Sequence, residues 1–279
     1  MSRRHLVLGC LVTTSLLCLG VAAPAAAASS VDYVALGDSY SSGVGAPGKT
    51  GTCLRSPYGY AAQWAGRNSP KSFTNLTCSG AETGDVLDDQ VPAIPAGTDL
   101  VSITIGGNDA GFAPTVLSCQ FSSDAACAQT VADAESDIAA TLPAKLDATY
   151  SAIKAKAPGA RVVVLGYPQL FDTSSASCGL TGMSLAKRRS LNHGAQVLDE
   201  AIKARVAAAG LTFSDVRDEF AGHGICASSS YLNGLTLIPA QNSFHPNQSG
   251  YTNGYLPAFA GAVSPSDHPT ATLDRTEDS

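Results

Sequence analysis

The chain alternates short apolar runs with longer stretches in which apolar and polar residues mix. Residues 31–36, 99–105 and 161–165 are short runs rich in β-branched residues, which is typical of buried strands. Residues 72–76 and 211–216 carry a weaker form of the same pattern. We therefore predict five strands.

Longer stretches between the strands have the length and composition of helices: 58–67, about 125–157, 185–209, and from Pro246 towards 262. Pro143 lies inside the second stretch and predicts a break or kink there, because proline removes a helical hydrogen bond. Ser184 is the expected N-cap of the third helix, and Gly210 is its expected C-cap.

Strands that alternate with helices of this length join through right-handed crossovers, and they form a parallel sheet covered on both faces. The sequence therefore predicts an α/β protein. No repeat or inter-domain linker interrupts it, so we predict one domain over residues 29–262. Residues 263–279 are rich in Pro, Ser, Thr and acidic residues, which favours a mobile C-terminal tail.

Residues 1–28 have the form of a secretory signal peptide. Arg3 and Arg4 precede an apolar run that ends in small residues with an Ala-x-Ala exit. A transmembrane anchor is the rival interpretation, but the run contains glycine and threonine and ends without a basic stop. We predict export by the Sec or twin-arginine route, giving a secreted, extracellular protein.

Composition narrows the class of function. Of the 279 residues, 44% are hydrophobic and only 14% are charged, which supplies a core and excludes a disordered chain. The formal net charge is −6, whereas a nucleic-acid binder needs a basic surface. We therefore expect no nucleic-acid partner.

Six of the eight cysteines follow the signal segment, and an even number in an exported chain predicts disulfides. No Cys-x-x-Cys occurs and no cysteine lies beside a histidine at zinc-ligand spacing, so we expect no metal and no cofactor. Pairing neighbours in sequence closes the shortest loops. The predicted bridges join Cys53 to Cys78, Cys119 to Cys127, and Cys178 to Cys226.

Polar residues follow two predicted strands, where an open parallel sheet gathers its functional groups. Ser39 comes directly after Gly37 and Asp38 at a strand-to-helix turn, which presents the hydroxyl beside a free backbone N–H. Asn108 follows Gly107 after the strand 99–105 and offers an amide donor to a developing oxyanion. Each motif alone is more typical of an ordinary cap or turn.

A serine nucleophile needs a base, and elimination leaves one histidine. His5 lies in the signal segment and His268 in the tail. His193 falls inside a predicted helix and His223 in a loop, where packing roles are expected. His245 stands just before the final helix, from which it can face a strand-end serine.

Four short blocks, in this order, resemble those of the SGNH (GDSL) hydrolase family: Gly37-Asp38-Ser39-Tyr40, Cys78-Ser79-Gly80-Ala81, Gly107-Asn108-Asp109 and His245-Pro246. A single block has little specificity, but four in order have much. With the export signal and six cysteines, the chain resembles the family's secreted actinobacterial branch of lipases, esterases and phospholipases, which carries three disulfides.

The resemblance implies a flavodoxin-like, three-layer α/β/α sandwich with a central, mostly parallel five-stranded sheet, and it implies ester hydrolysis. Ser39 is then the nucleophile and His245 the general base. The backbone N–H groups of Ser39 and Gly80 and the side chain of Asn108 form the oxyanion hole. His245 takes the Ser39 proton and passes it to the leaving alcohol.

One position departs from the common pattern of this family. The family often has an aspartate three residues before the histidine, and here that residue is Asn242. A neutral amide does not stabilise an imidazolium as a carboxylate does. We predict a Ser–His dyad in which the backbone carbonyl of Asn242 or Ser243 orients His245. The side-chain oxygen of Asn242 is the alternative.

The predicted substrates are acyl lipids or short to medium acyl esters, with phospholipase A1 activity as one form of this reaction. We expect a monomer in transient contact with a lipid interface. The rival hypothesis is a carbohydrate esterase that acts on acetylated plant polymers. The chain has only one tryptophan, Trp64, to stack on sugar rings, which argues against this hypothesis. A third hypothesis, a non-catalytic binding protein on the same fold, does not explain why Ser39, Asn108 and His245 are all present. Five apolar residues either line an acyl groove or only pack: Phe112, Leu170, Phe171, Leu237 and Ile238.

Overall fold

The computed structural model describes residues 30–179 and 182–263, so the predicted signal peptide and all but the first residue of the predicted tail lie outside the described residues. The strands form one sheet: β1 Asp32–Gly37, β2 Ser72–Asn75, β3 Leu100–Thr104, β4 Arg161–Leu165 and β5 Thr212–Ser214. Neighbours pair in parallel in the order β2-β1-β3-β4-β5. This is the strand order of flavodoxin-like folds, so the predicted fold class is confirmed.

The described residues form these α-helices: α1 Ser39–Ser42, α2 Tyr60–Asn68, α3 Thr83–Asp85, α4 Phe112–Phe121, α5 Asp124–Lys156, α6 Leu185–Ala208, α7 Gln248–Gly250 and α8 Leu256–Val263. Wider π-helical turns, Val86–Gln90 and Tyr251–Tyr255, continue α3 and join α7 to α8. A 3₁₀ turn spans Ala240–Asn242. No helix within residues 30–179 and 182–263 is both long enough and apolar enough to cross a lipid bilayer.

Helices cover the sheet on both faces and make three layers. α2 packs against α8 on one face, where Trp64 and Phe259 both contact the ring of Tyr33 on β1. α5 packs against α6 on the other face. Because both faces are covered, β3 is buried over its whole length and β1 over all but its first residue.

Three details of the helices differ from the sequence prediction. α5 runs through Pro143 without a break, so of the predicted break or kink the break does not occur; buried Leu142 and Leu146 hold the helix across the missing hydrogen bond. α4 and the α3 turn were not predicted, because neither shows a helical alternation of apolar and polar residues. The last helix starts at Gln248, with Asn247 rather than Pro246 at its N-terminus.

The six cysteines form three disulfides, with the pairing predicted from sequence. Cys53 and Cys78 tie an early loop to the turn that follows β2. Cys119 and Cys127 tie α4 to α5, and the third bridge joins the loops that contain residues 178 and 226. Each bridge therefore fixes a loop or short helix that lies outside the hydrogen bonding of the parallel sheet.

Candidate active site

The turn from β1 into α1 presents Ser39. Gly37 has a φ of +110°, which favours glycine, and a Cβ there would overlap the carbonyl oxygen of Thr104 on β3. Asp38 caps α1, because its Oδ1 accepts a hydrogen bond from the Tyr40 N–H at 2.9 Å. This close packing leaves Ser39 as the first residue of α1, at the carboxyl edge of the sheet.

His245 contacts Ser39 from the opposite side of this edge. Its Nε2 lies 2.8 Å from Ser39 Oγ, and its Nδ1 lies 2.8 Å from the carbonyl oxygen of Ser243. A carbonyl only accepts, so Nδ1 carries the proton and Nε2 accepts from the serine hydroxyl. Burial and, to a lesser degree, the nearby Lys49 ammonium together lower the pKa of His245 to about 4, against the opposing effect of the hydrogen bond to the Ser243 carbonyl. The imidazole is therefore neutral at neutral pH.

The side chain of Asn242 has a different partner. Its Oδ1 accepts a hydrogen bond from Lys49 Nζ at 2.5 Å, and its backbone oxygen accepts from the His245 N–H at 3.3 Å. Among the groups considered for orienting the histidine, the Ser243 carbonyl is the one within hydrogen-bond distance of Nδ1.

The three groups considered for an oxyanion hole line one cleft with Ser39 and His245. This cleft has a volume of about 200 Å³, and Ser39, Gly80, Asn108 and His245 all lie in its wall. Asn108 Nδ2 donates one hydrogen to the Ala81 carbonyl at 2.9 Å. An amide nitrogen carries two hydrogens, so a second donor is available to a ligand.

The Gly80 turn is held in place from two sides. The disulfide between Cys53 and Cys78 fixes the residues before it. After it, Asp109 accepts from the Thr83 N–H at 2.9 Å and from the Thr83 hydroxyl at 2.7 Å. Because Asp109 follows Asn108, these bonds tie two of the three proposed oxyanion donors, Gly80 and Asn108, to the end of β3.

Sequence reasoning missed the tyrosine that connects the strand ends. The Tyr167 hydroxyl donates to Asp38 Oδ2 and accepts from the Gly107 N–H at 3.0 Å. Burial raises the pKa of Asp38 to about 7, against the opposing effect of the Tyr167 hydrogen bond. Tyr167 comes directly after Gly166 at the end of β4. It therefore occupies the same kind of strand-end position that drew attention to Ser39 and Asn108.

The two other histidines among the described residues have partners away from the cleft. His193 Nδ1 lies 2.6 Å from a Glu135 carboxylate oxygen, and the His223 ring stacks on Tyr231 with centroids 3.8 Å apart. Within the described ranges, no group of three or more His, Cys, Asp or Glu side chains is placed to hold a metal ion.

Of the five residues considered for an acyl groove, Phe112 lies in the cleft wall. Leu170 and Phe171 are buried in the core instead. Leu237 and Ile238 are 81% and 91% exposed, so they do not line the cleft either.

Comparison with known proteins gives the same family over most of the chain. The GDSL-like lipase/acylhydrolase family model matches residues 35–252. A lipase of Streptomyces rimosus is 44% identical over 269 residues, which cover 94% of this chain and 99% of that protein.

Two solved structures share the fold closely. The extracellular lipase of Streptomyces rimosus matches with a TM-score of 0.80 and 46% identity, over 84% of this chain and all (100%) of that one. Phospholipase A1 of Streptomyces albidoflavus NA297 also has a TM-score of 0.80, with 43% identity over 83% of this chain and 98% of that one.

Proposed function

The chain belongs to the GDSL-like lipase/acylhydrolase family and is a carboxylic ester hydrolase, and from that premise we propose that Ser39 and His245 form its catalytic dyad. The observation that carries this proposal is the 2.8 Å contact between His245 Nε2 and Ser39 Oγ in an open cleft. The Ser243 carbonyl keeps the proton on Nδ1, so that Nε2 is free to act as the base.

The reaction follows from these positions. Ser39 Oγ attacks the ester carbonyl carbon while its proton moves to His245 Nε2. The N–H groups of Ser39 and Gly80 and the Asn108 amide stabilise the negative oxygen that forms. His245 then gives its proton to the leaving alcohol, which leaves an acyl group on Ser39. Water then gives a proton to His245 Nε2 and attacks the acyl carbon. The bond from this carbon to Ser39 Oγ breaks as His245 returns the proton to Oγ, and the carboxylic acid is released.

The substrates are esters of acyl lipids, including phospholipids. Relatives named as a lipase and as a phospholipase A1 support this class. Phe112 and Ala113 give one wall of the cleft an apolar surface for an acyl chain. The enzyme acts as a secreted monomer: residues 1–28 are removed on export, and residues 29–262 are its catalytic domain. The disulfides and the extracellular lipase relative support secretion.

A substrate panel with a Ser39→Ala control tests the proposal. We expect the wild-type protein to hydrolyse p-nitrophenyl acyl esters and phosphatidylcholine, and the variant to lose about 10⁴-fold or more in kcat. A covalent serine-hydrolase probe should label only the wild type. Labelling that survives Ser39→Ala contradicts the dyad, and hydrolysis of acetylated xylan alone contradicts the lipid class.

The Asn242→Ala variant tests which group orients the histidine. Because Nδ1 is bonded to the Ser243 carbonyl, we expect less than about a tenfold loss in kcat, measured on a soluble ester. A loss of about 10³-fold or more, in a variant that unfolds at the wild-type temperature, means that the Asn242 side chain has the orienting role.

A further inference from the structure

Large apolar side chains that remain exposed cluster in two segments of the molecule. Among the described residues, six such side chains are exposed, and five of them lie in α4 or in the loop 235–238: Leu117, Phe121, Leu235, Leu237 and Ile238. Tyr58 is the sixth. Ile238 is 91%, Leu237 81% and Phe121 75% exposed. We call these five residues the apolar rim.

The α4 part of the rim continues one wall of the catalytic cleft. Ala113 lines the cleft, and Leu117 and Phe121 follow it at intervals of four residues on the same helical face. Val116 and Cys119 fill the opposite, buried face, and the disulfide to Cys127 anchors the helix there. The exposed side chains are therefore held outward by the packing of α4.

The loop part of the rim continues the other wall. Ser243 lines the cleft, and its hydroxyl closes the loop by bonding the Thr236 N–H at 2.9 Å and the Thr236 carbonyl at 3.0 Å. Leu237 and Ile238 lie at the tip of this closed loop. They are exposed in a loop whose base, at Ser243, belongs to the cleft wall.

Charge is absent from both parts of the rim. Neither residues 111–123 nor residues 231–244 contain Asp, Glu, Lys or Arg, although the chain has a net charge of −6. Two cations from elsewhere in the chain reach these segments, and each is paired with a protein oxygen: Lys49 Nζ with Asn242 Oδ1 and Lys187 Nζ with the Ser122 carbonyl. The exposed rim side chains are themselves apolar and uncharged, which matches a lipid surface with no net charge. An acidic or basic protein partner would call for opposite charges.

We propose that the apolar rim binds the surface of a zwitterionic phospholipid bilayer, with the catalytic cleft opening towards the lipid between its two parts. This inference rests on the proposed function, because binding of the rim to the bilayer would place the catalytic cleft against its lipid substrate. Burial of the rim side chains in the acyl region supplies the binding energy, so binding should depend little on salt.

Binding to vesicles is measured with the full mature chain carrying Ser39→Ala, which leaves the lipid intact. We expect co-sedimentation with phosphatidylcholine vesicles that persists at raised salt. Adding Leu237→Ser with Ile238→Ser, or Leu117→Ser with Phe121→Ser, should weaken partitioning by at least about tenfold. Tyr58→Ser is the matched control, since it removes an exposed aromatic ring outside the rim and should leave partitioning unchanged.

The same rim substitutions in the active enzyme separate this inference from the proposed function. They should lower the hydrolysis of phosphatidylcholine vesicles and leave that of soluble p-nitrophenyl acetate unchanged. If the parent enzyme does not hydrolyse soluble ester, the proposed function is wrong. Membrane binding by the rim is still tested in that case, because the vesicle assay uses the inactive Ser39→Ala chain. The rim proposal is overturned if the parent does not bind vesicles, if the rim variants bind equally well, or if sedimentation velocity shows a dimer that these substitutions dissociate.

Discussion

Lys49 places a positive charge beside the histidine that the mechanism requires in its neutral form. The ammonium donates to Asn242 Oδ1 at 2.5 Å and to the Ala46 carbonyl at 3.3 Å. Burial has the larger effect and repulsion between this ammonium and an imidazolium the smaller one, and together they lower the pKa of His245 to about 4. An amide at position 242 can accept from Lys49 without attracting a proton to His245, as a carboxylate there would.

Replacing Lys49 by methionine should move the acidic limb of the pH profile. Removal of the cation raises the pKa of His245, although burial still holds it below its ordinary value. The base works only when neutral, so activity is lost as pH falls through this pKa. We therefore expect the acidic limb of kcat/KM on a soluble ester to lie at higher pH in Lys49→Met than in the wild type.

Lys49→Arg is the matched control, because it keeps the charge. Its acidic limb should stay close to that of the wild type. An unchanged limb in Lys49→Met would mean that burial alone sets the pKa of His245.

At the scale of elements, the ends of three neighbouring strands are joined by one buried hydroxyl. Tyr167 follows β4, Asp38 follows β1 and Gly107 follows β3, and the Tyr167 hydroxyl bonds both of the others. Ser39 comes next to Asp38, and Asn108 next to Gly107. The proposed nucleophile and one of the proposed oxyanion donors therefore depend on the same buried contact for their relative position.

Tyr167→Phe should weaken both the fold and the reaction. Without the hydroxyl, the Gly107 N–H and an Asp38 oxygen lose their buried partner, which costs about 1–3 kcal/mol of unfolding free energy for each unsatisfied group. In a domain of this size, each kcal/mol lowers Tm by roughly 2–4 °C. We also expect kcat on a soluble ester to fall well below the wild-type value at a temperature where the variant is folded.

Tyr150→Phe provides the control for this prediction. Tyr150 is also fully buried, but its hydroxyl has no hydrogen-bond partner among the described residues. Its removal should leave kcat unchanged and Tm unchanged or higher. Equal effects of the two substitutions on kcat would show that the strand-end contact has no special role in the reaction.

Over the whole molecule, the cleft forms at the point where the strand order reverses. β1 lies between β2 and β3, so the loops after β1 and β3 diverge and leave a crevice at the carboxyl edge. Ser39 lies just after β1 and Asn108 just after β3, whereas His245 belongs to a segment more than 130 residues later in the chain. The disulfide between Cys53 and Cys78 and the Asp109 contacts hold the Gly80 turn in the wall of this crevice.

Much of this arrangement was predictable because its signals are local. The strands β1, β3 and β4 are short β-branched runs, and Ser39, Asn108 and His245 stand in short blocks recognisable in sequence. α4 was not predictable in the same way, because it carries no charge and has apolar residues on its exposed face as well as on its buried face. Packing against α5 and the bridge from Cys119 make it a helix.

The sequence by itself determined the α/β class, since this depends on residue type and order along the chain. It also indicated the disulfide pairing that the structure confirms and the residues that we propose carry ester hydrolysis. Only the tertiary structure decided which partners those residues have. Three sets of hydrogen bonds depend on packing. The Ser243 carbonyl accepts from His245, and Asn242 accepts from Lys49. The Tyr167 hydroxyl bonds both Asp38 and Gly107. Hydrogen bonds require their atoms within about 3 Å, and residues far apart in sequence reach that distance only when the chain has folded.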